Sequence, residues 1–209
     1  MTDRPKRGRG RRPAAEVREE ILEAAAELLF AEGMGGFTIE KVANVSGASK
    51  MTIYKWWPSK GALALDGYFR RVEPELAFPD TGDIEADLRT QLHSFVRVIR
   101  DSPAGRVIGE LIGQAQSDPE LKAAYLQRYS GPRRAKAVAA MTTAQERGQL
   151  RASLDPDTVV DQLWGACYHR LLLPDQPLTD EFVDALVNNL FRGIAGEARP
   201  DRSGRAAHG

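Results

Sequence analysis

TIEKVANVSGASKMTIYKWWPSKGAL, residues 38–63, is the stretch whose reading decides the fold. Thr38 is an N-cap type of residue, and Ile39, Val42 and Ala43 recur behind it at i, i+3 and i+4, which predicts a short helix with one apolar face. Gly47 supplies the turn, because glycine enters left-handed backbone space at little cost. Ser49 is placed to cap a second helix over 50–57, in which Ile53 and Trp57 share a face at i, i+4 spacing. Pro58 cannot continue that helix, and Ser59 is positioned to cap a third.

With Ile53 and Trp57 facing inward, Lys50, Met51, Thr52, Tyr54, Lys55 and Trp56 point elsewhere. Cations, a hydroxyl, a phenol and an indole on one exposed turn and a half suit phosphate oxygens and base edges. Two short helices about a tight turn, the second presenting such a face, have the geometry of a helix-turn-helix that enters a major groove N-terminus first. Pattern alone also fits a solvated helical hairpin with two incidental tryptophans.

The segment resembles the DNA-binding signature of the TetR family of bacterial transcriptional regulators. The matching elements are Thr38-Ile39, Val45-Ser46, Thr52-Ile53-Tyr54, the aromatic Trp57, Pro58-Ser59-Lys60 and Ala62-Leu63, preceded by a helix ending in AEGMGGFT at 31–38. There are departures: relatives usually carry a small residue where Met51 stands, commonly Phe where Trp57 stands, and often an acid at Gly61. Met51 sits on the reading surface, so no relative's operator sequence transfers. The resemblance implies an all-α chain, with a helix-turn-helix domain at 14–63 and a helical regulatory and dimerisation domain at 64–196. It also implies a small-molecule inducer, and a homodimer whose last two long helices form a four-helix bundle with the partner's.

The formal net charge of zero, from 29 basic and 29 acidic residues, argues against a generic polyanion binder. The distribution argues otherwise. Residues 1–13 hold Arg4, Lys6, Arg7, Arg9, Arg11 and Arg12 against Asp3, a net +5, so the remainder carries −5. A basic end on an otherwise acidic chain is the footprint of a nucleic-acid arm. Arg7, Arg9 and Arg11, spaced by glycines, fit a hook that lies in a narrow A·T-rich minor groove; a solubilising tail is the plainer alternative. The single cysteine, Cys167, rules out an internal disulfide framework. No apolar run approaches the roughly 20 residues that span a bilayer, and the residues after Arg11-Arg12 are amphipathic rather than an export signal, which predicts a cytoplasmic protein without membrane contact.

Helical periodicity runs through the rest. A helix over 14–32 carries Val17, Ile21, Ala25, Leu28 and Leu29 inward and ends at Gly33, Gly35 and Gly36, with Phe37 in the seam beyond. A helix over 59–76 buries Leu65, Tyr68, Phe69, Val72 and Leu76, with Pro74 bending its end. FPDTGD, 78–83, reads as the boundary, followed by helices over 83–101, 103–117, 118–147, 155–173 and 179–195, and a disordered tail over 197–209. Gly131-Pro132 is expected to break or kink the long 118–147 segment.

Three sets of candidate residues follow. DNA contact is assigned to Arg7, Arg9, Arg11, Thr38, Ser49, Lys50, Met51, Thr52, Tyr54, Lys55, Trp56 and Lys60, with Tyr54 and Lys60 on phosphates. Phe95, Tyr125, Met141, Trp164 and Tyr168 are large side chains from converging helices that suit either a ligand pocket or an ordinary core. The last two helices are apolar on more than one face, which puts Leu163, Cys167, Leu171, Phe182, Leu186, Val187, Leu190 and Phe191 at a dimer interface, burial within the monomer's own core being the plainer alternative. Catalysis and metal binding find no supporting pattern: His93, His169 and His208 are scattered, Cys167 and His169 diverge on a helix, and no cofactor is implied. An all-α small-molecule-binding protein or enzyme with vestigial DNA contacts, and a DNA coater that uses only its arm, stay open as rivals.

Overall fold

The glycine-punctuated sequence folds entirely as helices over the part that the computed structural model describes, residues 13–193. The arm arginines Arg7, Arg9 and Arg11 and the tail over 197–209 lie outside these residues. α1 (Ala14–Gly36) holds regular geometry up to Gly33, whose φ of 69° breaks it, and Phe37 is fully buried beyond. α2 (Ile39–Ser46) and α3 (Lys50–Trp56) meet at Gly47, which adopts φ 67° and ψ 14°. α4 (Lys60–Val72) runs into a single 3-10 turn at Glu73–Leu76, which is where Pro74 takes effect. α4 lies along α1, and the close approach needs Gly67, since a Cβ there would stand 3.2 Å from the Ala26 amide nitrogen.

α5 (Ile84–Asp101) is central to the second half, packed by α6 (Ala104–Ala115), α8 (Gly131–Glu146), α9 (Pro156–Leu172) and α10 (Asp180–Arg192). α7 (Pro119–Tyr125) joins α8 without a break. The Gly131-Pro132 kink is realised as one π-turn over Leu126–Ser130, closed by the Gly131 amide donating to the Leu126 carbonyl. This wider turn accommodates the missing N–H and the ring of Pro132. A Cβ at position 131 would stand 2.6 Å from the Leu126 oxygen, so the glycine is required. Residues 78–83 are pinned rather than loose: the buried Asp87 carboxylate accepts from the Thr81 amide at 3.0 Å and its hydroxyl at 2.7 Å.

α10 is fastened to α5 by buried Val183 and Val187 and by a polar stripe. Arg89 donates to Asp184 at 2.6 Å, His93 contacts the same carboxylate at 3.1 Å, and Arg100 reaches Asp180 at 3.0 Å. Arg89 first, and then His93, hold the Asp184 carboxyl below its usual range. Among the described residues no helix is long and apolar enough to cross a membrane.

Candidate nucleic-acid interface and effector cavity

Local chemistry builds the reading head. The Thr38 hydroxyl accepts from the Lys41 amide at 3.2 Å, the Ser49 hydroxyl from the Thr52 amide at 3.0 Å, and the Ser59 hydroxyl from the Ala62 amide at 3.1 Å, so α2, α3 and α4 each begin on a side-chain cap. Each cap contributes about 1 kcal/mol. Ile53 and Trp57 are fully buried beneath α3. Burying an aliphatic side chain such as Ile53 contributes roughly 1.5–3 kcal/mol, which anchors a helix too short to persist alone.

The opposite face is open. Met51 is 82% exposed and Tyr54 50%, with Lys50 and Lys55 exposed beside them. Lys55 carries no ion pair among the described residues, whereas Lys50 pairs with Glu40 of α2, whose carboxyl this contact holds below its usual range. The Thr52 hydroxyl lies 2.8 Å from that of Ser49. Two expectations need adjustment. Trp56 is half-buried and packs edge-on against Trp57, with ring centroids 5.9 Å apart, because the helix ends there and its last side chain folds back over the core. Lys60 turns inward, its ammonium donating to the Met34 carbonyl at 3.1 Å, where the break at Gly33 leaves an acceptor without a helical partner. Pro13 and Ala14 share a surface depression with Met51, Thr52, Tyr54 and Lys55, so the chain enters the described structure beside the reading helix.

Behind the head, one carboxylate oxygen gathers three partners. Asp66 Oδ2 accepts from the Trp57 indole at 2.7 Å and from Arg128 at 3.0 Å, with Arg18 at 3.8 Å. The Arg18 guanidinium also lies 5.3 Å over the Trp57 ring.

Arg128 lines a cavity of 370 Å³ between α4, α5, α8 and α9, within the roughly 300–1,000 Å³ typical of small-molecule sites. Of the pocket candidates, Phe95, Trp164 and Tyr168 lie in its wall, and the Phe95 and Tyr168 rings meet edge to face at 5.4 Å. Tyr125 stands behind, its hydroxyl 3.4 Å from that of Tyr168, and burial pushes the Tyr125 phenol up to about 12. Met141 does not belong here. It is fully buried and faces a separate groove by Leu150 and Leu154, because its position on α8 turns it away from the cavity. Sequence reasoning missed Gln91, Arg128 and Arg133 in the lining and left Tyr129 as an unassigned inward residue. Gln91 could have been found, as the polar residue inside the apolar stripe Leu88, Leu92 and Phe95.

The expected interface residues divide. Leu163, Cys167 and Val187 are sealed inside the single chain, a correction with a plain cause: α9 is wedged against α5 and α8, and α10 against α5, so these stripes fill the chain's own core. Leu171, Phe182, Leu186, Leu190 and Phe191 are only half-buried, and the Arg170 guanidinium lies 3.6 Å over the Phe182 ring. Leu172 and Leu173 are exposed beside them. Burial pushes the Cys167 thiol up to about 12.

Residues 21–66 match the family described as bacterial regulatory proteins, tetR family, and residues 78–190 match the tetracyclin repressor-like C-terminal domain. YdeS of Bacillus subtilis, an uncharacterized HTH-type transcriptional regulator, is 36% identical over 90% of this chain and 94% of its own. A DNA-binding transcriptional repressor TetR of Mycobacteroides abscessus is 28% identical over 82% of this chain and 90% of its own. The crystal structure of the TetR family transcription regulator SCO0332 superposes with a TM-score of 0.81 at 57% identity, covering 87% of this chain and all of that one. With a capped helix-turn-helix on an all-helical second half and both halves matched, the chain belongs to the TetR family of helix-turn-helix transcriptional regulators.

Proposed function

We propose that the protein is a homodimeric repressor of the cytoplasm that reads a palindromic double-stranded DNA operator with α3 and releases it when a small-molecule inducer occupies the cavity. The carrying observation is the two-sidedness of α3: its apolar side is sealed by Ile53 and Trp57, while Lys50, Met51, Thr52, Tyr54 and Lys55 have no structural duty inside the core. Two such heads joined through Leu171, Phe182, Leu186, Leu190 and Phe191 would meet half-sites about 34–36 Å apart or a multiple of it. Arg7, Arg9 and Arg11 would follow the adjacent minor groove.

Release is a population shift, so the inducer acts only by preferring the arrangement that fits DNA poorly. Support for a route comes from Asp66, whose Oδ2 joins Arg128 of the cavity wall to the Trp57 indole at the end of the reading helix. Among the described residues no histidine lines the cavity; His93 is engaged by α10 and His169 is exposed.

The test is selection of binding duplexes from a random pool by the full-length protein, followed by sedimentation of the complex. The proposal expects a two-fold symmetric consensus, two chains per site and affinity that falls steeply with salt. Equal affinity for all sequences, or one chain per site, would refute it. Arg128→Ala is expected to keep operator affinity and blunt ligand-driven release.

A further inference from the structure

We infer that the cavity takes a flat aromatic acid carrying a hydroxyl or N–H donor close to its carboxylate. The inference rests on the effector reading of the cavity and names the chemistry that reading leaves open. Aromatic faces supply the flatness: Phe69 and Tyr129 stack with centroids 4.4 Å apart, and Phe95, Trp164 and Tyr168 complete the walls. A guest laid flat against the open faces of such rings is held by its own π-face.

The polar demand comes from Gln91, which is 2% exposed. Its amide nitrogen donates to the Leu76 carbonyl at 3.2 Å, which fixes the other end of the amide as the acceptor. That oxygen, Oε1, has no hydrogen-bond partner among the described residues, and neither has the equally buried Tyr129 hydroxyl. A buried acceptor without a donor is costly, so a ligand that donates there gains what an apolar group forfeits.

Charge gives the second demand. Of the four cations in the lining, Arg128 is engaged by Asp66, and Arg134 by Asp157 and Asp161. Arg133 and Lys136 have no carboxylate partner among the described residues and face only the exposed Glu73. Arg133 lies 5.4 Å over the Tyr129 ring and reaches the same Leu76 oxygen as Gln91, at 3.5 Å. The Gln91 amide, through its nitrogen, and the Arg133 guanidinium therefore meet at one carbonyl, with the free Gln91 oxygen one amide width from it. A ligand that serves both must carry its donor and its acid close together.

Three probes separate these demands by calorimetry on the full-length dimer: 2-hydroxy-2-(2-naphthyl)acetate, 2-naphthylacetate without the donor, and 1-(2-naphthyl)ethane-1,2-diol without the charge. The hydroxy acid is expected to bind about fivefold more tightly than the plain acid and roughly tenfold or more over the diol. Gln91→Met should erase the first preference and Arg133→Met the second. The inference is overturned if the diol binds as well as the hydroxy acid, or if Gln91→Met retains the hydroxyl preference. Should either variant fail to fold, the three-probe ranking on the natural chain still decides. Displacement of labelled operator is read in parallel. Binding of the hydroxy acid in the predicted rank order without release of DNA would support the ligand class and count against the inducer reading alone. Release driven through the cavity by neutral 2-ethylnaphthalene, with no binding of the acids, would overturn the class and leave the inducer reading standing.

Discussion

Asp66 is the side chain whose replacement discriminates most sharply among the forces holding the reading head. Its carboxylate is 12% exposed and accepts from the Trp57 indole at 2.7 Å, with the ring itself fully buried. Asp66→Ala leaves that N–H without a partner in the core, at a cost of about 1–3 kcal/mol. The ion pairs to Arg18 and Arg128 add little, because both guanidinium ends are about 40% exposed and such pairs contribute at most about 1 kcal/mol. Asp66→Ala is therefore expected to lose about 2–3 kcal/mol, a fall in Tm of roughly 4–12 °C for a chain of this length. Asp66→Asn keeps an oxygen for the indole and is expected to lose about 1 kcal/mol. Trp57→Phe removes the donor while keeping most of the burial, so adding it to Asp66→Ala should cost at least about 1 kcal/mol less than adding it to the natural chain. Denaturant unfolding followed by circular dichroism measures all of these proteins. Equal losses for the Asn and Ala variants, or additivity in the cycle, would refute the argument by showing that charge and not the indole bond dominates.

Lys50→Ala and Thr52→Ala are each expected to cost about 1–3 kcal/mol on the selected operator and to relax base preference locally, whereas Lys60→Ala, which removes the donor to the Met34 carbonyl, should leave base preference unchanged and lower the melting temperature instead; anisotropy titrations on cognate and random duplexes, with thermal melts, separate the two. Removing residues 1–12 should leave the melting temperature unchanged and flatten the dependence of affinity on salt, by about 0.9 in logarithmic slope for each phosphate that the arm neutralises in the natural chain. Cys167 should resist thiol reagents at pH 8 until the chain unfolds, and stability should decline under alkali: the folded thiol near 12 lies above the unfolded value of about 8.5, so its contribution is complete below that value and is lost as pH rises through the folded one, as denaturant midpoints at increasing pH will show. Leu186→Asp or Leu190→Asp places a carboxylate on the half-buried outer face of α10, and sedimentation with circular dichroism should find a folded monomer with little operator affinity; a folded dimer would move the interface elsewhere.

The head was legible because its determinants are local. Thr38, Ser49 and Ser59 cap their own helices and Gly47 makes its own turn, so no distant residue was needed to place α2, α3 and α4. Legibility failed where a side chain answers to a neighbour remote in sequence. Lys60 is drawn to the Met34 carbonyl, Glu40 neutralises Lys50, and Leu163 and Cys167 are claimed by α5 and α8 before any partner chain can reach them. The cavity shows the same division. Its aromatic walls follow from helix period, but Gln91 and Arg133 gain meaning only through the Leu76 carbonyl, whose place is set by the 3-10 turn after α4.

Magnitudes also limit how a ligand can act on the head. The pair between Arg128 and Asp66 is exposed at its arginine end, so its rearrangement transmits at most about 1 kcal/mol per subunit, or about 2 kcal/mol in a dimer. Taking a two-state protein from almost fully DNA-competent to almost fully incompetent needs about 5.5 kcal/mol. The remainder has to travel through backbone. The Leu76 carbonyl is the place for it, since Gln91 and Arg133 both donate there and a ligand that engages either side chain alters the hold on the end of α4. α4 in turn is packed close along α1, since a Cβ at position 67 would stand only 3.2 Å from the Ala26 amide nitrogen and 3.3 Å from the Ala25 carbonyl carbon. A shift of α4 would therefore be expected to carry α1 with it, and α2 and α3 through the fully buried Phe37 and Trp57. A bulkier residue at position 67 would separate these helices, and it should weaken ligand-driven release even where operator affinity survives.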